Sequence, residues 1–148
     1  MPSTYLSLHY HVVFSTRRRE SSIEGSWRAR LFEYLGGTVN GLAGQAQGVG
    51  GTADHVHFLV GLKATHRLAD FMRELKKASS IWVHQEIGAK GFAWQEGYGA
   101  FTVSPNARDH VRAYIASQEE HHRVRTFREE LVELLECAGV QYDPKYLD

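Results

Sequence analysis

Two histidines separated by one residue, His55 and His57, are the first side chains whose type and spacing indicate chemistry. They lie in the run 54–62, whose compact apolar stretch has the length of a β-strand. Alternate side chains of a strand share a face, so both imidazoles can bind one metal ion. Two imidazoles do not complete a catalytic site, and a further ligand, preferably an oxygen, is required. The pair alone is also typical of half-buried structural histidines.

Tyr114 and Gln118 form a second candidate pair. They lie four residues apart in a predicted helix that follows Ser104 and Pro105, so their side chains project from the same face. The helix could therefore present a nucleophilic phenol and an amide ligand together. Taken alone, a tyrosine beside an apolar helical stripe is more often packed at the edge of a core.

The elements that must position these residues begin with a strand over 5–15, where apolar and polar residues alternate. A capping-box spacing, Ser21 to Glu24, predicts the start of a first helix. The Gly-rich stretch 45–51 and the run 54–62 are predicted to pair as a hairpin. Thr65 is predicted to cap a second helix that ends near Gly88.

Two short extended pieces, 92–95 and 100–103, then precede the Tyr114 helix, and a last helix begins at Thr126 with another capping box. This order predicts an α+β fold with a ferredoxin-like antiparallel sheet: β-α-β-β-α-β plus an extra strand and C-terminal helices. We expect one domain over 1–148, with residues from about 126 as a helical extension.

Composition excludes several classes of protein. The hydrophobic fraction is 43% and the apolar runs are too short to cross a bilayer, so no membrane partner is expected. The N-terminus lacks the features of a secretory signal, which predicts a cytoplasmic location. Net charge is zero, but residues 119–148 hold four basic and eight acidic side chains, which leaves 13 basic and 9 acidic elsewhere. Basic charge is thus segregated, as a nucleic-acid partner requires.

The segment His55-Val56-His57, followed downstream by Tyr114-Ile115-Ala116-Ser117-Gln118, resembles the HUH single-tyrosine transposases of small bacterial insertion sequences. The opening segment 9–16, followed by three arginines, and the segment 97–104 also resemble that family. The likeness covers residues 5 to about 130.

The resemblance implies a role for each matching residue. His55 and His57 would be metal ligands, Gln118 a third ligand through its amide oxygen, and Tyr114 the nucleophile. The implied activity is a DNA transposase that cleaves and rejoins single-stranded DNA through a 5′-phosphotyrosine, with Mg²⁺ or Mn²⁺ as cofactor. The implied partners are single-stranded DNA with hairpin ends and a second copy of the chain, whose tyrosine helix can act in trans.

Two basic groups are candidates for contacts with DNA phosphates. Arg17, Arg18 and Arg19 follow the first strand, and Arg73, Lys76 and Lys77 share one face of the second helix. Solvated surface charge is an equally good interpretation of each group.

Other residues near these motifs have plainer interpretations. We expect Asp54 to begin the strand with its side chain on the face opposite the histidines, and His121 and His122 to lie at a surface helix end. The acidic last helix is expected to pack on a dimer or cap the sheet.

Three alternative functions stay open at this stage. One is a domesticated relative, such as a REP-associated tyrosine transposase, that processes chromosomal hairpins. Another is a regulator that binds hairpin DNA without catalysis, and binding would then survive a chelator. The third is a His-based metal phosphodiesterase, which would need the histidines and the metal but not Tyr114.

Overall fold

Four strands and two long helices alternate in the order that the sequence predicts. In a computed structural model that describes residues 3–147, the order is β1 (His9–Ser15), α1 (Gly25–Gly41), β2 (Gln45–Gly51), β3 (His55–Gly61), α2 (Leu68–Trp82) and β4 (Gly99–Thr102). Three helices follow: α3 (Arg108–Ala116), α4 (Gln118–His121) and α5 (Phe127–Cys137). Met1, Pro2 and Asp148, which the predicted domain includes, lie outside the described residues. Among the described residues, no helix is long and apolar enough to cross a membrane.

The sheet has the strand order β2-β3-β1-β4, and every neighbouring pair is antiparallel. The two strands of each β-α-β unit are therefore separated by one strand of the other unit: β3 lies between β1 and β2, and β1 lies between β3 and β4. This is the ferredoxin-like arrangement. The predicted α+β fold class is confirmed. Of the two extended pieces predicted at 92–95 and 100–103, the second forms β4, whereas the first is reduced to a single bridge between Thr16 and Trp94.

One face of this sheet carries the apolar core. Val12 of β1 lies opposite Phe58 of β3, and these side chains pack with Leu31 of α1 and Leu75 of α2. All four are at most 1% exposed. Helices α1 and α2 therefore cover one face and leave the other for the remaining helices.

The opposite face receives α3 at very short range because β2 is rich in glycine. A Cβ on Gly50 would lie 2.3 Å from the carbonyl oxygen of Ile115, and one on Gly48 would lie 3.3 Å from Cγ of Arg112. The glycines that make β2 a weak strand by propensity thus allow the Tyr114 helix to pack directly on the sheet.

Two predicted helix starts are wrong. Ile23 is fully buried and donates its backbone N–H to the carbonyl of Ala53, so the chain is still extended at Glu24 and the Ser21–Glu24 capping box does not form. Helix α2 begins after Arg67 and not at Thr65, since His66 first closes a turn with Lys63.

The later helix ends fit the sequence better. A π-helical turn after α2 ends at Gly88, which adopts a left-handed conformation. The capping box between Thr126 and Glu129 is present at the start of α5. The predicted Tyr114 helix, however, is interrupted at Ser117, whose hydroxyl donates to the carbonyls of Ala113 and Tyr114. This break turns Gln118 toward the sheet.

Candidate active site

The two histidines of β3 project from the face that α3, α4 and α5 cover. His55 and His57 are both 0% exposed, and their ring centroids lie 5.1 Å apart. Strand alternation places both imidazoles on one face, while Val56 and Phe58 enter the apolar core on the other. The structure therefore brings the predicted histidine pair together.

Helices α3 and α4 bring the other two predicted residues to these histidines. The Oε1 atom of Gln118 lies 3.0 Å from Nε2 of His55. The ring of Tyr114 lies 5.9 Å from that of His57, centroid to centroid. Gln118 is 1% exposed, whereas Tyr114 is half-buried at the rim. All four residues meet within one chain.

A fifth member of this site, Glu130 of α5, is absent from the sequence prediction. Its carboxylate is buried, and Oε1 lies 2.9 Å from Nε2 of His57. The Oε2 atom accepts from the Tyr114 hydroxyl and from Nε2 of Gln118 at 3.2 Å. Glu130 thus links the histidine, the amide and the phenol.

Helical spacing could have indicated Glu130. It lies three residues after Phe127 and four before Leu134, so it interrupts the apolar stripe of α5. A carboxylate on the buried side of an amphipathic helix requires a polar partner. The expectation that α5 only caps the sheet or packs on a dimer therefore needs correction, because this helix supplies a side chain to the site.

Asp54 also corrects an expectation. Its Oδ1 lies 2.7 Å from Nδ1 of His55, and the Thr52 hydroxyl donates to the same oxygen at 3.0 Å. Asp54 precedes the first residue of β3, so strand alternation does not fix its direction. Burial raises the pKa of Asp54, but the hydrogen bonds with His55 and Thr52 and the charge of His55 together outweigh burial and lower the pKa. A carboxylate in this position orients an imidazole ligand.

Two further histidines complete the site. His122, expected at the surface, places Nε2 at 3.1 Å from Oε1 of Gln118 and 3.2 Å from Oε1 of Glu130. His11 of β1 is 5% exposed, and its Nε2 lies 2.7 Å from Nδ1 of His57. Its position in β1 could have indicated this, since β1 pairs directly with β3 and His11 shares the face of Val13, opposite His57.

Burial decides the charges in this cluster. It lowers the pKa of His57 to about 4, although the hydrogen bond to Glu130 opposes this, and it lowers the pKa of His11 to about 3. Burial would raise the pKa of Glu130, but the hydrogen bond and charge of His57 hold it well below its usual range. Burial and the bond to Glu130 raise the pKa of Tyr114. At neutral pH the site therefore combines neutral His11 and His57, an anionic carboxylate and a protonated phenol.

The polar side chains of this site are suitable ligands for a divalent metal ion. Ligand atoms of His55, His122 and Glu130 lie within 4.8 Å of one another. Imidazole nitrogens, a carboxylate and an amide oxygen together are ligands that divalent cations accept, and half-buried Asp54 orients the His55 imidazole through its contact with Nδ1. This cluster differs from the predicted set, since it includes His122 and Glu130. Nε2 of His57 lies 2.9 Å from Oε1 of Glu130, and Oε1 of Gln118 lies 3.0 Å from Nε2 of His55 and 3.1 Å from Nε2 of His122.

Part of the predicted phosphate-binding surface borders this site. Arg18 and Arg19 line a cleft of about 750 Å³ together with Arg123 and Arg125, and Asp54 and His122 form part of its wall. Arg17 belongs to the same short 3₁₀ turn and is exposed. The structure places a basic cleft directly beside the candidate metal ligands.

The basic residues of α2 lie elsewhere. This helix packs on the apolar face of the sheet, away from the histidines. Arg73 pairs with Asp70 at 3.1 Å, and Lys77 is exposed. The Lys76 ammonium donates to the carbonyls of Gln95 and Gly97, and burial lowers its pKa to about 8. The structure does not bring these three residues to the site, and their contact with DNA stays a prediction.

Comparison with known proteins identifies the family of this chain. Residues 4–118 match the family model described as "Transposase IS200 like". The ISDra2 transposase TnpA of Deinococcus radiodurans is 29% identical over 121 residues, covering 76% of this chain and 85% of the relative. The transposase for insertion sequence element IS200 of Salmonella typhimurium is 26% identical over 121 residues, covering 78% of this chain and 79% of the relative.

Two solved structures share the fold. A crystal structure from Deinococcus radiodurans R1, assigned as a transposase, superposes with a TM-score of 0.64 at 23% identity and covers 78% of this chain and 93% of its own. A REP-associated tyrosine transposase bound to a REP hairpin superposes with a TM-score of 0.56 at 16% identity, covering 78% and 68%.

The fold and the family match define a DNA transposase. The chain belongs to the IS200-like transposase family, because the matched residues span most of its length. The resemblance that the histidine and tyrosine motifs indicated is confirmed.

Proposed function

We propose that this transposase cleaves and rejoins single-stranded DNA through a covalent 5′-phosphotyrosine on Tyr114. The observation that carries the proposal is the convergence of Tyr114, Gln118, His55 and His57 in one chain, from the strand β3 and the helices α3 and α4, which lie far from β3 in sequence. In the cleavage step the Tyr114 oxygen bonds to phosphorus, the bond from phosphorus to the 3′-oxygen breaks, and that oxygen leaves as a 3′-hydroxyl after taking a proton. The phenolic proton leaves Tyr114.

Joining is the reverse reaction. A second 3′-hydroxyl attacks the phosphotyrosine and releases the phenol, and because the ester bond is exchanged and not hydrolysed, no ATP is needed. A bound Mg²⁺ or Mn²⁺ would supply polarisation of the phosphate and orient it toward the phenol. His55, His57 and Gln118 are the residues proposed to hold it.

The side chains around Tyr114 position its hydroxyl. Glu130 accepts the hydrogen of the phenol, and the His121 ring packs edge-on against the Tyr114 ring with centroids 4.5 Å apart. These contacts limit the rotation of the tyrosine side chain and hold its oxygen beside the histidines, which reduces the entropy cost of reaching the reactive geometry.

The basic cleft supports a nucleic-acid substrate. Arg17, Arg18 and Arg19 are proposed to neutralise phosphates of a strand that enters past Asp54 and His122. Arg73, Lys76 and Lys77 would contact DNA only if it wrapped around the edge of the sheet. Hairpin ends are proposed as the target, supported by the REP hairpin in the structural relative.

The oligomeric state and the domain organisation are also proposals. A homodimer that exchanges tyrosine helices is one of them, although in this chain α3 reaches the histidines of its own sheet. A single domain over 1–148 is another.

The experiment that tests the proposed function compares wild type with Tyr114→Phe. Each protein is incubated with labelled single-stranded hairpins and Mn²⁺ or Mg²⁺, then run on a denaturing gel. We expect a shifted covalent band with wild type and none with the variant, at equal hairpin binding. Binding by wild type without any band, under every metal, would instead favour the non-catalytic regulator. Cleavage of a small phosphodiester by Tyr114→Phe would favour the His-based phosphodiesterase.

A further inference from the structure

Two side chains of the candidate metal site lie beyond the region that matches the transposase family. The match ends at Gln118, whereas His122 follows α4 and Glu130 lies in α5. Both nevertheless contact the residues proposed to hold the metal. Their polar atoms face the same point as the predicted ligands.

The imidazole of His55 directs a lone pair toward Gln118. Nδ1 of His55 lies 2.7 Å from Asp54 Oδ1, a carboxylate oxygen that only accepts, so the proton of a neutral ring is on Nδ1. Nε2 is then an acceptor, and it lies 3.0 Å from Oε1 of Gln118, which is also an acceptor. The amide nitrogen of Gln118 is directed to Glu130 Oε2 at 3.2 Å, so the amide oxygen faces the imidazole.

His122 repeats this arrangement from the other side. Its Nδ1 lies 2.8 Å from the backbone carbonyl of Arg125, which again only accepts. The lone pair on Nε2 therefore faces Gln118 Oε1 at 3.1 Å and Glu130 Oε1 at 3.2 Å. With both rings neutral, four acceptor atoms, from His55, Gln118, His122 and Glu130, face one another with no hydrogen between them.

We propose that His122 and Glu130 are metal ligands, together with His55, His57 and Gln118. The distances support this: ligands at about 2.1 Å from one ion and at right angles to each other are about 3.0 Å apart. The observed separations are 3.0 Å for His55–Gln118, 3.1 Å for His122–Gln118, 3.2 Å for His122–Glu130 and 2.9 Å for His57–Glu130. The His55–Glu130 separation is wider, at 3.7 Å.

This ligand set has consequences for the choice of metal. Three imidazoles suit a transition metal better than Mg²⁺, and the carboxylate adds a negative charge to an otherwise neutral set. Mn²⁺ is therefore expected to bind more tightly than Mg²⁺. Since Oε2 of Glu130 accepts the Tyr114 hydrogen, the same carboxylate also joins the metal site to the nucleophile.

The inference rests on the proposed metal-dependent function, so its test measures metal binding without DNA. Mn²⁺ is titrated into the full chain by isothermal calorimetry, comparing wild type with Glu130→Gln and His122→Asn. We expect the dissociation constant for Mn²⁺ to rise at least about tenfold in each variant, since even residues that only orient ligands cost that much. Pulsed EPR of bound Mn²⁺ should show fewer coupled nitrogens in His122→Asn than in wild type.

Matched controls separate ligation from loss of charge. Glu136→Gln removes one carboxylate from the exposed side of the same helix, and His110→Asn removes an exposed histidine of α3. Both controls should bind Mn²⁺ as wild type does. If circular dichroism shows that Glu130→Gln does not fold, Glu130→Asp replaces it, and its shorter side chain should still weaken Mn²⁺ binding.

Unchanged Mn²⁺ affinity in folded Glu130 and His122 variants would overturn the inference. Failure of the proposed function looks different, because Tyr114→Phe and wild type would then both bind Mn²⁺ and neither would form a covalent DNA adduct.

Discussion

The two faces of the sheet are built from the same strands but serve opposite purposes. Toward α1 and α2, β3 presents Val56, Phe58 and Val60, which contribute to an apolar core. Toward α3, α4 and α5 it presents His55 and His57, which are just as buried but meet polar side chains. Burial alone therefore does not identify the core: one face stabilises the fold, and the other gathers the candidate catalytic side chains.

Removal of a large side chain from the apolar face should have the largest effect on stability. Phe58→Ala deletes a side chain that is 1% exposed and packs edge-on against Phe14. We expect the free energy of unfolding to fall by about 3–5 kcal/mol in urea titrations. The Phe58→Ala molecules that stay folded should bind Mn²⁺ with wild-type affinity. A loss below 1 kcal/mol would mean that this face is not the main source of stability.

The polar face should be sensitive to the distance between α3 and the sheet. In Gly50→Ala the new Cβ meets the Ile115 carbonyl, so the helix must move away. We expect a destabilisation of about 1–3 kcal/mol, together with loss of the Tyr114–DNA adduct on a denaturing gel. Gly37→Ala, in α1, is the control, because nothing lies within 4 Å of its Cβ. Wild-type adduct formation by Gly50→Ala would contradict close packing as a requirement.

Acid should lower the free energy of unfolding through the buried histidines of the polar face. The pKa of His57 is about 4 and that of His11 about 3 when folded, against about 6.5 when unfolded. The unfolded chain therefore binds more protons below about pH 6.5, and the free energy of unfolding must fall from there toward pH 4. Thermal melts in a chelator should show this decline, reduced in His11→Gln. A melting temperature independent of pH between 7 and 4 would contradict buried neutral histidines.

The smallest effects should come from replacing single basic residues on the surface. Arg18→Gln, in the cleft, should weaken binding of a single-stranded hairpin and reduce the salt dependence of binding by about one unit of slope. Lys77→Gln, on the α2 side, should have a smaller effect on both the hairpin affinity and its salt dependence. Fluorescence anisotropy at several salt concentrations measures both variants. If Lys77→Gln has the larger effect, the DNA path follows the apolar-face helices.

Sequence patterns predicted the parts of this molecule that depend on local spacing. The histidine pair, the Tyr114–Gln118 pair and the Thr126 capping box each lie within a few residues, so strand and helix periods suffice to place them. The order of strands and helices was enough to predict the ferredoxin-like sheet. The start of α1 was missed because a tertiary contact, Ile23 with Ala53, keeps the chain extended there.

What the sequence did not reveal depends on long-range contacts. Glu130 meets His57 across 73 residues, and His11 meets it across 46. Asp54 was misplaced because its contact begins one residue before the strand whose alternation was used. These contacts of the site thus required the tertiary structure, whereas the proposed nucleophile, Tyr114, was indicated by the resemblance to the transposase family.

The most direct test of the proposed tyrosine mechanism is to locate the residue to which DNA becomes covalently attached. The wild-type adduct formed with Mn²⁺ is digested with nuclease and trypsin and sequenced by tandem mass spectrometry. Cleavage after Arg112 and Arg123 releases a peptide in which Tyr114 is the one tyrosine. We predict a nucleotide attached through phosphate to Tyr114. Attachment to any other residue, or a cleaved strand with no attached peptide, would contradict the assignment of this face as a tyrosine-based active site.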